Sequence, residues 1–125
     1  MIIGTGIDLA EVARIRDAIE RHGDRFVQRI YTLREIAYAS AKANRFERYA
    51  ARFAAKEAGM KALGTGWRRG VTWQDFEVSN LPGGRPTLAF HGIAADIARK
   101  LGVRTVALSL THTADLGMAF VILED

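Results

Sequence analysis

The first quarter of the chain changes from a strand-like to a helix-like pattern of apolar residues. Residues 2–7 contain three isoleucines interrupted by glycines, which predicts a short strand. Apolar side chains then recur at helical spacing, at Val12, Ile15, Ile19 and Phe26. This spacing predicts a first helix, which the sequence His22-Gly23-Asp24 is expected to interrupt.

Two further helices are predicted before the middle of the chain. Residues 26–43 are compatible with a helix whose inward-facing side chains are Ile30, Leu33 and Tyr38. The strongest helical pattern covers residues 46–63. The glycines of segment 64–66 follow it at once, which is typical of a helix C-terminus.

The second half of the chain is richer in strand-forming residues and turn signals. Residues 70–80 and 87–90 have the pattern of strands, and the proline- and glycine-rich segment 81–86 predicts a turn between them. A short helix is predicted over 92–101, and a hairpin over 103–111 and 116–123. This order predicts a single α+β domain over residues 1–125, in which helices pack on one face of an antiparallel sheet.

The composition limits the classes of function. The chain carries 18 Lys and Arg against 14 Asp and Glu, and this net charge of +4 favours an acidic partner or a polyanionic ligand. The lack of cysteine excludes disulfides, cysteine-ligated metals and thiol nucleophiles. The longest apolar run, 116–123, is too short to span a membrane, and the N-terminus lacks the basic leader of a secretory signal. We therefore expect a cytoplasmic protein without a membrane partner.

The usual arrangements for covalent catalysis are also missing from the sequence. The three histidines form no metal-binding pair at helical spacing, and none of the three serines lies in a nucleophile elbow. Ser109 and His112 are close in sequence, but on a strand they would point to opposite faces. No phosphate-binding P-loop is present. These observations favour a reaction without a covalent enzyme intermediate.

One carboxylate on the third predicted helix has an unusual position. A helical wheel places Glu57 in the middle of an apolar stripe, formed by Phe46, Tyr49, Ala50, Phe53 and Met60. A charged residue on a buried face is unfavourable unless it is paired or binds a metal. Glu57 therefore either forms an ion pair with Lys61, one turn further on, or binds a divalent cation through its oxygens.

Asp8 is the natural second carboxylate for such a cation, and it also has two interpretations. Together with Glu11 it matches a capping box, in which Asp8 would cap the first helix. Alternatively, Asp8 lies where the first strand ends, beside a helix terminus that favours anions, and is a metal ligand.

Several segments occur in the order found in one enzyme family. They are Gly6-Ile7-Asp8-Leu9, Arg52-Phe53-Ala54-Ala55-Lys56-Glu57-Ala58 with Lys61-Ala62-Leu63-Gly64-Thr65-Gly66, Gly84-Arg85-Pro86, and Ser109-Leu110-Thr111-His112-Thr113. In these segments the chain resembles the holo-acyl-carrier-protein synthases, the small bacterial class of 4′-phosphopantetheinyl transferases. The resemblance covers nearly the whole chain and is most specific from Phe53 to Gly66.

The resemblance implies a magnesium-dependent reaction of fatty acid biosynthesis. Such enzymes transfer the phosphopantetheine arm of coenzyme A to a serine of apo-acyl carrier protein and release adenosine 3′,5′-bisphosphate. By the same resemblance, Asp8 and Glu57 would bind Mg²⁺, and Lys61 would assist near the reacting phosphate. The residues expected to hold coenzyme A are Arg52, Lys56, Arg85, Pro86, Ser109, Thr111 and His112. The family also implies a homotrimer with active sites at subunit interfaces.

The first predicted helix offers a surface for a protein partner. Arg14, Arg21 and Arg25 are expected to share one face of it, where they would dock an acidic helix of the carrier protein. A function of a different class is a small basic nucleic-acid-binding module, with phosphate contacts from Arg14, Arg16, Arg21, Arg25 and Arg29. Against this alternative, the aromatic residues have core spacing and are not interleaved with the basic ones.

Overall fold

The structure is a computed structural model that describes all 125 residues. Its strands are β1 (Ile2–Glu11), β2 (Phe76–Asn80), β3 (Pro86–Phe90), β4 (Thr105–His112) and β5 (Leu116–Glu124). Its helices are α1 (Val12–His22), α2 (Asp24–Ile30), α3 (Leu33–Ser40), α4 (Arg45–Leu63) and α5 (Gly92–Leu101), and a turn of 3-10 helix covers Trp73–Asp75. The predicted α+β class and the predicted C-terminal hairpin are confirmed.

The strands form two antiparallel sheets, one of order β1-β5-β4 and one that pairs β2 with β3. In β5, Gly117, Ala119 and Val121 are buried, whereas the alternate residues Met118 and Phe120 are exposed. The buried residues define the inner face of the larger sheet, which packs against α4. The other side, here called the outer face, is left uncovered.

Helix α4 is the central element of the core. Its alanines at positions 50, 54, 55 and 58 are each 0% exposed, so the helix packs closely against its neighbours. It ends at Leu63, and Gly64 follows in the left-handed conformation with φ 78°. The helix predicted over residues 46–63 is therefore confirmed.

Strand β1 lies against the backbone of α4 without intervening side chains. A Cβ atom at Gly6 would lie 1.9 Å from the carbonyl oxygen of Ala58, and one at Gly4 would lie 2.2 Å from that of Ala62. Only glycine permits this approach, since any side chain would collide with main-chain atoms. The glycine-interrupted strand of the sequence is thus a close seam between sheet and helix.

The segment predicted as one helix over residues 26–43 is two helices. Tyr31 breaks it with an extended backbone, and Thr32 then begins α3 with a capping box completed by Glu35. As a consequence Leu33, predicted to face inward, is 82% exposed. Ile30 is buried as predicted.

Two expectations about the first helix are also wrong. Asp8 does not cap it, because β1 continues to Glu11 and α1 begins only at Val12. Arg25 does not share a helix with Arg14 and Arg21, because Gly23 ends α1 and Arg25 belongs to α2.

Candidate active site

Asp8 and Lys61 form an ion pair between β1 and α4. Asp8 sits on the inner face, in register with Ala119, and its Oδ1 accepts a hydrogen bond from Lys61 Nζ at 2.9 Å. The same Nζ donates to the carbonyl oxygen of Ile7 at 3.0 Å. Lys61 therefore pairs with Asp8, and the predicted pair between Glu57 and Lys61 is wrong.

Glu57 is a half-buried carboxylate without a partner in the chain. It forms neither an ion pair nor a hydrogen bond with another side chain, although it lies one turn before Lys61 on α4. Burial raises the pKa of Glu57, the negative charge of Asp8 raises it further, and the cations Lys61 and Arg14 act in the opposite direction. Because the charge of Asp8 contributes to this rise and both residues line one groove, the two carboxylates are close enough to repel each other.

Both carboxylates line one groove, here called the carboxylate groove. It has a volume of about 500 Å³, and its other lining residues include Arg14, Phe26, Phe53 and Trp67. Two carboxylates and an arginine thus line the groove between β1, α1 and α4, and Lys61 is bound to Asp8 beside it. Such a mixed site can bind a hard cation and a phosphate together.

The donor set of the carboxylate groove fits Mg²⁺ only with outside ligands. No cluster of three or more histidine, cysteine, aspartate or glutamate residues is present. Mg²⁺ typically takes one or two carboxylates from a protein and completes its shell with substrate phosphates and water. Asp8 and Glu57 match that requirement, and the unpartnered oxygens of Glu57 are the observation that favours a cation there.

A second groove adjoins the first and was missed by the sequence analysis. This aromatic groove has a volume of about 770 Å³ and shares Phe26, Phe53 and Trp67 with the carboxylate groove. Its wall is a stack in which Phe53 and Trp73 lie 4.9 Å apart between ring centroids. By sequence Phe53 belongs to the apolar stripe of the helix, and the only signal of this groove is a tryptophan, Trp67, among glycines and arginines.

Lys56 does not reach solvent, so the prediction that it contacts coenzyme A is wrong. Its side chain is 0% exposed, and its Nζ lies 2.7 Å from Glu35 Oε1. The Nζ also donates hydrogen bonds to the carbonyl oxygens of Phe76 and Trp73. Burial lowers the pKa of Lys56, and the charge of Glu35 opposes that effect.

Arg52 is also largely buried, at 4% exposure. Its guanidinium lies 4.1 Å from the ring centroid of Tyr38, and it donates a hydrogen bond to Asn80 at 2.9 Å. Its Nε is buried and has no hydrogen-bond partner. Arg52 therefore keeps unused donors, and its contact with coenzyme A stays a prediction.

The other residues expected to bind coenzyme A lie away from the carboxylate groove. Arg85, Pro86 and Ser109 line a third groove of about 710 Å³ between the 81–87 segment and β4, here called the β4 groove. Thr111 pairs with the exposed Met118 and shares the outer face with it. His112 points to the opposite side, where its Nδ1 lies 3.8 Å from Glu47 Oε1. The carboxylate groove and the β4 groove have no lining residue in common.

The arginines expected to dock a carrier protein are exposed. Arg14 and Arg21 line a shallow groove along α1, together with Asp17, Ala18 and His22. Arg14 also lines the carboxylate groove, so this basic side of α1 leads directly to Asp8 and Glu57.

The fold is that of a known class of transferase. The chain belongs to the 4′-phosphopantetheinyl transferase superfamily, whose family model matches residues 4–119. A relative from Solibacter usitatus (strain Ellin6076), named holo-[acyl-carrier-protein] synthase, is 71% identical over 125 residues, with 100% of both chains covered. This finding confirms the resemblance seen in the sequence.

Solved structures of similar fold include two from bacteria. The holo-[acyl-carrier-protein] synthase of Neisseria meningitidis has a TM-score of 0.89 at 33% identity, and 100% of both chains is covered. A holo-(acyl-carrier-protein) synthase of Bacillus anthracis str. Ames, solved in complex with CoA (3′,5′-ADP), has a TM-score of 0.82 at 36% identity, covering 100% of this chain and 98% of the other.

Proposed function

We propose that this chain is a holo-acyl-carrier-protein synthase. It transfers 4′-phosphopantetheine from coenzyme A to a serine of apo-acyl carrier protein and releases adenosine 3′,5′-bisphosphate. The observation that carries the proposal is the meeting of Asp8 and Glu57 in one groove, with Lys61 paired to Asp8, in a chain that belongs to this transferase superfamily. Family membership favours this reaction over a nucleic-acid-binding module.

The chemistry assigns different roles to the three side chains. Displacement at a pyrophosphate needs neutralisation of charge and in-line positioning more than a covalent nucleophile. Asp8 and Glu57 would hold Mg²⁺, which when bound supplies charge neutralisation at the pyrophosphate oxygens. Lys61 holds Asp8 in place and would supply a second positive charge to the phosphates of the substrate. The attacking oxygen belongs to the serine of the partner protein, which agrees with the lack of a nucleophile elbow in this chain.

The proposed coenzyme A site requires a second copy of the chain. Asp8 and Glu57 line one groove, whereas Arg85, Pro86 and Ser109 line another with no shared residue. The outer face of the larger sheet is apolar and exposed, with Ile7 at 54% and Phe120 at 39%. Large exposed apolar patches mark interaction sites. We therefore assign this face to contacts within a homotrimer, in which the two grooves of neighbouring subunits would together form the site.

None of the five α-helices combines the length and the apolar character that spanning a lipid bilayer requires. A cytoplasmic location stays a prediction from the sequence.

The reaction is tested by mass spectrometry of apo-acyl carrier protein after incubation with the chain, coenzyme A and Mg²⁺. The expected result is a carrier protein heavier by one phosphopantetheine, together with adenosine 3′,5′-bisphosphate in the supernatant. Omitting Mg²⁺ and adding chelator is the matched control and should abolish the mass gain. An unmodified carrier protein under all conditions would refute the proposed function.

A further inference from the structure

The buried pair of Glu35 and Lys56 lies outside every groove described above, and no role in the reaction has been given to it. Both side chains are 0% exposed. Removing two charges from water is costly, and a well-packed apolar pair would often be as stable. Stability alone therefore does not explain the pair, and its role follows from the other groups that it contacts.

The pair occupies the free edge of β2. Strand β2 bonds to β3 on one side only. On its other side, the amide of Val78 donates to Glu35 Oε2 at 2.7 Å, and the carbonyl oxygen of Phe76 accepts from Lys56 Nζ. Glu35 and Lys56 thus provide the acceptor and the donor that a neighbouring strand would otherwise supply to this buried edge.

Lys56 also binds Trp73, the first residue of the 3-10 turn that leads into β2. Lys56 Nζ donates to the carbonyl oxygen of Trp73 at 3.2 Å. The ring of Trp73 stacks on Phe53, which precedes Lys56 by one turn on α4. Phe53 in turn lines both the aromatic groove and the carboxylate groove. A continuous chain of contacts therefore runs from the buried pair to the wall beside Asp8 and Glu57.

We propose that the Glu35–Lys56 pair positions the Trp73–Phe53 wall, and through it sets the affinity of the enzyme for its protein substrate. The inference rests on the proposed function. The protein substrate is favoured over coenzyme A because the aromatic groove continues into the groove that Arg14 of the basic α1 surface lines. Coenzyme A also reaches the carboxylate groove in the proposed site, but Arg85 and Ser109, the residues expected to hold it, line the separate β4 groove away from this wall. Glu35 and Lys56 are positioning residues and touch no substrate.

The test combines a charge-neutral double variant with two readouts. Lys56→Met with Glu35→Gln leaves no unpaired charge in the core but removes the donor to Trp73. The single variant Lys56→Met is measured beside it.

In a Trp67→Phe background Trp73 is the sole tryptophan, because the chain has two. We expect a red-shifted Trp73 emission with stronger acrylamide quenching. In the chain that keeps Trp67, KM for apo-acyl carrier protein should rise at least severalfold, with kcat and KM for coenzyme A within twofold of wild type.

Val121→Ala is the control, since it truncates a buried side chain on β5 that is remote in sequence from the pair. It should lower the melting temperature without changing Trp73 emission or KM. A folded double variant with wild-type emission and wild-type KM for the carrier protein would overturn the inference, as would an equal rise of both KM values. If wild type shows no transfer, the proposed function fails. The Trp73 signal then still decides whether the pair positions the wall.

Discussion

Lys61 reaches across from α4 to Asp8, a residue 53 positions earlier in the chain, and holds its carboxylate at 2.9 Å. The pairing leaves Glu57, one turn before Lys61, without a cation of its own. An unpartnered, half-buried carboxylate beside a second one is an arrangement that a divalent cation would stabilise.

The two carboxylates can be tested by isosteric amides. Asp8→Asn and Glu57→Gln each remove an anionic oxygen ligand while they conserve shape. We expect turnover at ordinary Mg²⁺ to fall by orders of magnitude, with a melting temperature that is kept or, for Glu57→Gln, raised, because neither residue is part of the apolar core. Steady-state transfer assays and thermal denaturation of the same preparations check this. Variants that are stable and fully active would exclude the metal site.

Glu57 should also make the metal-free protein sensitive to pH in a defined direction. Burial and the charge of Asp8 raise its pKa, so folding disfavours the ionised form. The stability associated with protonated Glu57 is present below its unfolded pKa of about 4.3 and is lost as pH rises through the folded pKa. Glu57→Gln should therefore be more stable than wild type near neutral pH, and the difference should vanish near pH 4.

Denaturant titrations with chelator at several pH values provide the measurement for Glu57. Asp8→Asn is the companion variant, since removal of the neighbouring charge should lower the pKa of Glu57 toward its ordinary value. A pKa of Glu57 that stays unchanged in Asp8→Asn, followed by NMR, would contradict the repulsion between the two carboxylates.

Two lysines five residues apart on α4 should differ greatly in their importance for stability. Lys56→Met leaves Glu35 buried without a cation, and breaking a buried ion pair in this way costs about 3–5 kcal/mol of unfolding free energy. Lys61→Met removes an exposed partner from Asp8 and should cost about 1 kcal/mol or less. Urea denaturation measures both. Equal losses of unfolding free energy in the two variants would mean that the Glu35–Lys56 pair does not stabilise the edge of β2.

The basic surface of α1 should act on the protein substrate only. Reversing Arg14 and Arg21 to glutamate is expected to raise KM for apo-acyl carrier protein, and most strongly at low salt, because exposed charges steer association through long-range attraction. Binding of coenzyme A should stay near normal. Lys100→Glu with Arg104→Glu makes the same change in net charge on residues that line none of the grooves described here. Similar kinetics for the two double variants would argue against α1 as the docking surface.

Phe120 offers a test of the outer face. Placing a charge in an apolar interface is strongly unfavourable, so Phe120→Glu should dissociate the proposed homotrimer and reduce transfer, since the two grooves would no longer meet. Sedimentation velocity reports the mass directly. Ala37→Glu, on the exposed side of α3, is the control and should leave the mass unchanged. A wild-type chain that sediments as a monomer and is active would contradict the shared site.

Secondary-structure elements with local signals could be predicted from the sequence. The prediction was less reliable for residues whose environment depends on contacts with distant parts of the chain. The apolar stripe and the terminal glycine of α4 predicted this helix to within one residue at its start. Asp8 matched a capping box, yet pairing with β5 extends the strand through it, because a ladder of backbone hydrogen bonds is stronger than one side-chain cap. Lys56 had an ordinary helical position, and nothing in the sequence indicated that Glu35 would meet it in the core.

The close contact of Gly4 and Gly6 with α4 determines how well the site tolerates mutations elsewhere in the chain. Side chains elsewhere in the core can exchange volume with their neighbours, and the elements that carry them shift accordingly. Where two main chains touch, as Gly6 does at Ala58, the spacing of Asp8 from Glu57 and Lys61 is set by the thickness of the polypeptide itself. The spacing of the site is thereby uncoupled from repacking of the hydrophobic interior, and a single added methyl group at Gly6 would push Asp8 away from α4.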